Sequence, residues 1–111
     1  MNDKQNIKVG DLCKHFKGHS LEEKNIYRIL HLNVTYSGDH MTPPSSDLCV
    51  YENIFQNRIF TREASEVFEE LPADKQLEFN QTYRVEKLTP EEIQTINSEE
   101  FKVKKLSMPK K

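Results

Sequence analysis

The stretch KHFKGH, residues 14 to 19, sets two histidines and two lysines around a Phe-Gly pair. His15 and Lys17 flank Phe16 on a strand end, so they fall on the exposed side if Phe16 turns inward. Imidazole and ammonium groups held this way suit a small cationic patch for an anionic or planar ligand. Arg62 would add a bidentate fork for oxyanions, and Tyr51 an aromatic face for stacking. His15, Lys17, Tyr51 and Arg62 are therefore the candidate ligand-binding residues. The same stretch also reads as a plain strand end and turn, with Phe16 in the core and Gly18 serving the backbone.

Catalytic chemistry has less support. Cys13 and His15 are two apart and share a strand face, the spacing for a thiolate–imidazole pair. But Cys13 lies in an apolar run, and a buried cysteine is inert. His15 and His19 are four apart, with Gly18 between them in a turn rather than on a helix, and no Cys-x-x-Cys or His-Glu-x-x-His pattern occurs. Gly10, Gly18 and Gly38 are isolated and cannot cradle a phosphate. The acid pairs Glu22-Glu23, Glu69-Glu70, Glu91-Glu92 and Glu99-Glu100 sit in solvated segments, not the apolar surroundings that tune catalytic carboxylates. No catalytic residue, metal or cofactor is expected. The leading expectation is a non-catalytic binding module. The alternatives are a small enzyme using Cys13 with His15, or an accessory subunit of a larger assembly docked through TPPSSD, residues 42 to 47, or through the C-terminal helix.

These residues need elements to position them. Leu12 to Phe16 alternates as a strand and closes at Gly18. Ser20 and Glu23 have the spacing of a capping box, enough for one helical turn. IYRILHL, residues 26 to 32, is a strand with Tyr27, Ile29 and His31 on one face, which makes His31 a core-edge histidine. Residues 33 to 47 read as a long irregular loop. LCVYENIF, residues 48 to 55, is a strand, QNR a hairpin turn and IFTR, residues 59 to 62, the return. Ala64, Val67, Phe68 and Leu71 have helical spacing and end at Pro72. PADKQLEFNQT reads as a connection in which Leu77 and Phe79 dip into the core. YRVEKL, residues 83 to 88, alternates again. Thr89, Pro90 and Glu92 sign a helix start, with Ile93 and Ile96 as its apolar stripe. The sum is mainly β: a small, strongly bent antiparallel sheet or barrel of about five strands with one or two short helices.

The 111 residues fit one domain, expected over residues 1 to 100 and followed by a basic tail, residues 101 to 111. That tail holds five lysines and no acid, leaving 11 basic and 18 acidic side chains before it, a net of −7. An acidic body argues against phosphate-backbone binding by the surface as a whole. The tail reads as a frayed, solubilising terminus in preference to a contact for nucleic acid or acidic lipid, and no membrane partner is expected. Nucleic acid or a protein is the open choice of partner, and a monomer is expected. No run of apolar residues is long enough to span a bilayer. The start lacks a basic region followed by an apolar one, so a cytoplasmic protein is expected. There Cys13 and Cys49 would be free, buried thiols rather than a disulfide.

The order VGDLCKHFKG, YRIL, LCVYENIF, IFTREASEVFEEL and YRVEKL resembles the small bacterial family sixteen fifty-three of the domains of unknown function. Its members run Gly-x-x-Tyr-x-His-Phe-Lys-Gly, then Tyr-x-Val-Leu, then Val-Val-Tyr-x-x-Leu-Tyr, then Val-Arg-Pro-x-x-x-Phe and a Tyr-Arg-Phe-Glu-like stretch. The resemblance covers residues 8 to 88 and implies an SH3-like small β-barrel with no established activity. His15, Phe16, Lys17 and Gly18 match the His-Phe-Lys-Gly motif, Tyr27 and Tyr51 the strand tyrosines, and Arg62 and Phe68 the helix segment. Cys13 stands where the family often has Tyr, and Glu63 where it often has Pro. The first hairpin is longer by HSLEEKN, and a long loop replaces the stretch between the middle strands. The helix after Thr89 and the tail are additions. The loop changes bear on ligand specificity.

Overall fold

The computed structural model describes residues 5–35 and 47–108. Five strands, β1 Leu12–His15, β2 Ile26–Val34, β3 Leu48–Asn53, β4 Arg58–Glu63 and β5 Val85–Lys87, form one antiparallel sheet in the order β4-β3-β2-β1-β5. Four α-helices follow the strands or link them: α1 Ala64–Val67, α2 Ala73–Phe79, α3 Pro90–Ile96 and α4 Glu99–Ser107. A 3-10 turn, Leu21–Glu23, interrupts the β1–β2 connection. The five antiparallel strands are as expected. A small β-rich fold is as expected too, but four α-helices stand where one or two were expected, so helix and strand contents are nearly equal. Nor does the sheet close: among the described residues β4 and β5 do not pair. The chain after α1 bridges the gap instead, with Leu71 N–H donating to the Thr82 carbonyl and Arg84 N–H to that of Glu69, both at 2.9 Å. That pairing also explains why α1 stops at Val67 although Phe68 and Leu71 keep helical spacing and are buried.

The register sorts side chains onto two faces. Cys13 stands opposite Tyr27, Ile29 opposite Tyr51, Tyr51 opposite Phe60 and Cys49 opposite Arg62. This first face forms a core with Ala64 and Val67 of α1 and with Phe68 just after it. The second face carries Ile26 and Leu88, buried against Ile96 of α3 and Phe101 of α4. Each such side chain contributes roughly 1.5–3 kcal/mol of transfer energy.

Several local results depart from the sequence pattern. Between Ile29 and His31 the β2–β3 register shifts. That bulge inverts the alternation, so Leu32 packs on the first core and His31 is exposed, not a core-edge residue. Asn33, next along, adopts φ 57, in the left-handed region. The stretch read as a connection after Pro72 is mostly α2, which ends at Asn80 in the left-handed conformation. Its Leu77 is 88% exposed rather than in the core, whereas Phe79 at its end is half-buried. The expected tail is a helix over its first seven residues: Ser98 caps α4, and Phe101 is only 2% exposed. Lys105 of α4 donates to the Glu22 carbonyl at 2.8 Å and to the Lys24 carbonyl.

The β5 edge of the sheet is covered by a side chain. The Gln5 carboxamide donates to the Val85 carbonyl at 3.0 Å and accepts from Lys87 N–H at 2.8 Å, covering the outer side of β5. The TPPSSD segment, residues 42 to 46 at least, lies outside the described residues.

Candidate functional site

The backbone of KHFKGH is clamped from four directions. His15 N–H donates to the Asn25 carbonyl and Phe16 N–H to that of Arg84, both at 2.9 Å. The buried Lys24 ammonium donates to the Phe16 carbonyl at 2.7 Å. The buried Gln81 carboxamide donates to the Lys14 carbonyl at 3.1 Å and to Tyr83 at 2.8 Å. Gly18 takes φ +117, and a Cβ there would lie 2.9 Å from the Glu23 carbonyl carbon, so only glycine fits. The Ser20 cap and 3-10 turn form as the spacing predicts, but Glu23 reaches back to His19 N–H at 2.8 Å.

On this frame His15 lies on the first face. Its Nδ1 accepts from Lys17 N–H at 3.3 Å, which leaves the ring proton on Nε2. The ring sits 4.9 Å from that of Phe16 and edge-on to Tyr27 at 6.4 Å. Burial lowers its pKa to about 4, and the cations Arg84, Lys17, Lys24 and Arg62 push the same way. Four cations thus act on one imidazole.

A row of rings continues the face. Tyr27 meets Tyr51 edge-on at 4.8 Å, and Tyr51 stacks on Phe60 at 5.6 Å. Arg58 covers Phe60 with its guanidinium 5.6 Å from the ring. Tyr51 is only 8% exposed, so the stacking face expected of it is already used by the protein. Arg62 is exposed and acts electrostatically on His15, Tyr27 and Tyr51. Among the described residues it has no ion-pair partner, and neither has Lys17, which is exposed at the margin. Arg84, by contrast, pairs with Glu69 at 2.5 Å and lies over the Phe16 ring.

Three of the four sequence candidates, His15, Tyr51 and Arg62, thus share one face, and Lys17 joins them through its backbone. Sequence reasoning missed Tyr27, Phe60, Arg58 and Arg84. The i, i+2 spacing of Arg58 and Phe60 with Arg62 along a returning strand was the signal for two of them.

The thiols are no part of an ionised pair. Cys13 and Cys49 are both free and 0% exposed. Burial pushes each thiol up to about 12, with Asp11 raising Cys13 and Asp47 raising Cys49 further. A protonated thiol beside a neutral imidazole is a poor nucleophile. No group of three or more His, Cys, Asp or Glu side chains converges to hold a metal ion among the described residues. An open pocket of about 460 Å³ lies elsewhere, lined by Glu22, Glu91, Gln94 and Lys104 among others, and shares no residue with the patch. No family model, no curated protein and no solved structure matches the chain.

Proposed function

We propose that the chain is a non-catalytic binding module, an SH3-like member of family sixteen fifty-three, with its ligand site on the first face at His15, Lys17, Tyr51 and Arg62. The observation that carries this reading is a set of available donors: Arg62 and Lys17 lack acid partners among the described residues, while Lys14, Arg84 and Lys87 are paired and Lys24 is held on a carbonyl. Exposed cations without acid partners beside a half-buried imidazole leave their donors open to an anionic ligand. The family assignment draws support from a four-strand meander whose fifth strand returns to the first, and from a Gly18 that no other residue can replace. Free, buried cysteines fit a cytoplasmic protein. No described helix is long and apolar enough to cross a membrane.

The test is an amide NMR titration of the full chain with pools of single-stranded oligonucleotides, mononucleotides and anionic metabolites. Shifts clustered at residues 14–19, 51 and 62 support the site. Shifts confined to the lysines of α4 that vanish with salt mean only screened electrostatics. Lys17→Ala and Arg62→Ala should abolish those shifts with little change in the thermal midpoint. If both variants unfold instead, the patch is structural.

A further inference from the structure

Resting on that reading of the first face, we infer that its ligand is an oxyanion, a phosphate or carboxylate group, received by donors alone: the Nε2–H of a neutral His15, the hydroxyl of Tyr51 and the guanidinium of Arg62. The ligand is not held by ring stacking.

The donor set follows from hydrogen-bond accounting. Lys17 N–H occupies His15 Nδ1 and fixes the Nε2–H tautomer. No hydrogen bond from Nε2 or from the Tyr51 hydroxyl occurs among the described residues. The single buried side-chain polar atom there without a partner is Gln81 Oε1. The Nε2 and Tyr51 oxygen atoms therefore reach solvent, although their rings are largely enclosed. Arg62 stands on the neighbouring strand, across from Cys49 and two residues from Phe60, which pairs with Tyr51. Nothing in this set must act as an acceptor, and the acceptor-only group that also matches the guanidinium charge is an oxyanion.

His15 must stay neutral for this geometry to hold, and its surroundings keep it so. Protonation would place a second hydrogen at Nδ1 against the Lys17 N–H. Arg84 beside β5, Lys17 in the turn, Lys24 before β2 and Arg62 on β4 all oppose a further positive charge. Of the nearby carboxylates, Glu69 is engaged by Arg84 and Asp11 by Lys87, while Asp47 acts on Cys49. The imidazole thus serves as a neutral donor inside a positive field, rather than as one more cation.

Stacking is blocked by the rings themselves. Phe60 lies against Tyr51 with planes 26° apart, the Tyr27 ring abuts Tyr51 edge-on, and Arg58 covers Phe60. To stack on Tyr51 or Phe60, a neutral planar molecule would have to displace a ring or a guanidinium already there.

The experiment titrates the full chain with inorganic phosphate, with acetate and with adenosine, at ionic strength held constant with chloride. Phosphate or acetate should give saturable shifts at His15, Lys17, Tyr51 and Arg62, the two arms separating the phosphate from the carboxylate source. Adenosine should give none. Arg62→Gln should weaken the anion at least about tenfold. His15→Gln keeps a terminal amide donor where Nε2 stands and should retain binding, whereas His15→Phe keeps the ring and should lose it. Imidazole nitrogen shifts should report the Nε2–H tautomer from about pH 8 down to about pH 5. Shifts with adenosine and none with either anion would overturn the oxyanion inference while leaving the binding patch standing. Anion binding indifferent to both His15→Phe and Arg62→Gln, or an imidazolium in that pH range, would also overturn it. Silence from all three probes and from the oligonucleotide pools would remove the patch itself.

Discussion

Apart from Lys87 of the first face, which pairs with Asp11, the two faces of the sheet treat their cations in opposite ways. On the second face Lys14 meets Glu92 at 2.5 Å, Lys24 is buried on two carbonyls, and Lys105 caps the end of the 3-10 turn. Each ammonium there is an architectural tie between distant parts of the chain. On the first face Arg62 and Lys17 meet no carboxylate among the described residues, and His15 is surrounded by positive charge. Both faces have well-packed apolar centres, so packing does not distinguish them. The difference lies in whether polar groups find partners inside the protein, and that separates a scaffold from a receiving surface.

The largest effect that would test this contrast is on the second face. Phe101→Ala should destabilise the protein by about 3–5 kcal/mol, seen as a lowered urea midpoint, since it empties a buried site between α4 and the sheet. A loss under about 1 kcal/mol would mean that α4 is an appendage and that the second face lacks the integrity claimed for it. Next comes Lys24→Met, which keeps the stem but leaves the Phe16 carbonyl without its ammonium. A loss of about 1–3 kcal/mol is expected, together with broadened amide signals in residues 14 to 19. If stability is unchanged, the clamp on the motif must lie in Gln81 and the backbone pairings.

Smaller still is a pH effect from the first face. In the unfolded chain His15 takes a proton near its ordinary 6.5, but in the folded chain only near 4. Between those values the unfolded state binds more protons, so stability falls as pH drops through that window, and below about pH 4 this group adds nothing further. The full shift would correspond to about 3 kcal/mol, and solvent screening of a half-buried ring reduces it to about 1–2 kcal/mol. The check is the difference between the wild type and His15→Gln in urea unfolding from about pH 7 to about pH 5, above the range where Glu92 titrates. Parallel curves would refute the depressed pKa. The smallest expected change is Arg62→Gln, within about 0.5 kcal/mol of wild type in stability. A cost above about 1 kcal/mol would erase the contrast, because Arg62 would then be a structural tie like Lys105.

Much of this was legible where side-chain periodicity and cap chemistry act locally. Thr89, Pro90 and Glu92 announce α3, and its capping box forms as the residues dictate. Gly18 announces its turn, and Ala64, Val67, Phe68 and Leu71 announce the buried edge of the segment after β4. What failed was information held in pairing partners. The bulge beside Leu30 moves His31 to solvent, and nothing in IYRILHL records it, because the insertion is counted against β3. α2 has no apolar stripe, so its sequence lacks the period that would reveal it. The lysines of residues 102 to 105 concealed a helix anchored by Phe101, since charge counts do not report a single buried ring. At the site, residue types marked His15 and Arg62, but the closure of Tyr51 by Phe60 and Tyr27 needed the register.

The Gln5 carboxamide on β5 has a consequence for ageing of the molecule. A primary amide is a peptide group at the end of a side chain, and Gln5 uses both its ends to stand in for a sixth strand on Val85 and Lys87. Hydrolytic deamidation would convert it to a carboxylate, which keeps the acceptor for Lys87 N–H but turns the donor into a second oxygen facing the Val85 carbonyl. One slow chemical event would thereby strip the cover from a three-residue strand and leave its backbone open to foreign chains. Stored protein should accumulate oligomers in step with deamidation at Gln5, as followed by peptide mass spectrometry, and Gln5→Glu should show the same behaviour when fresh.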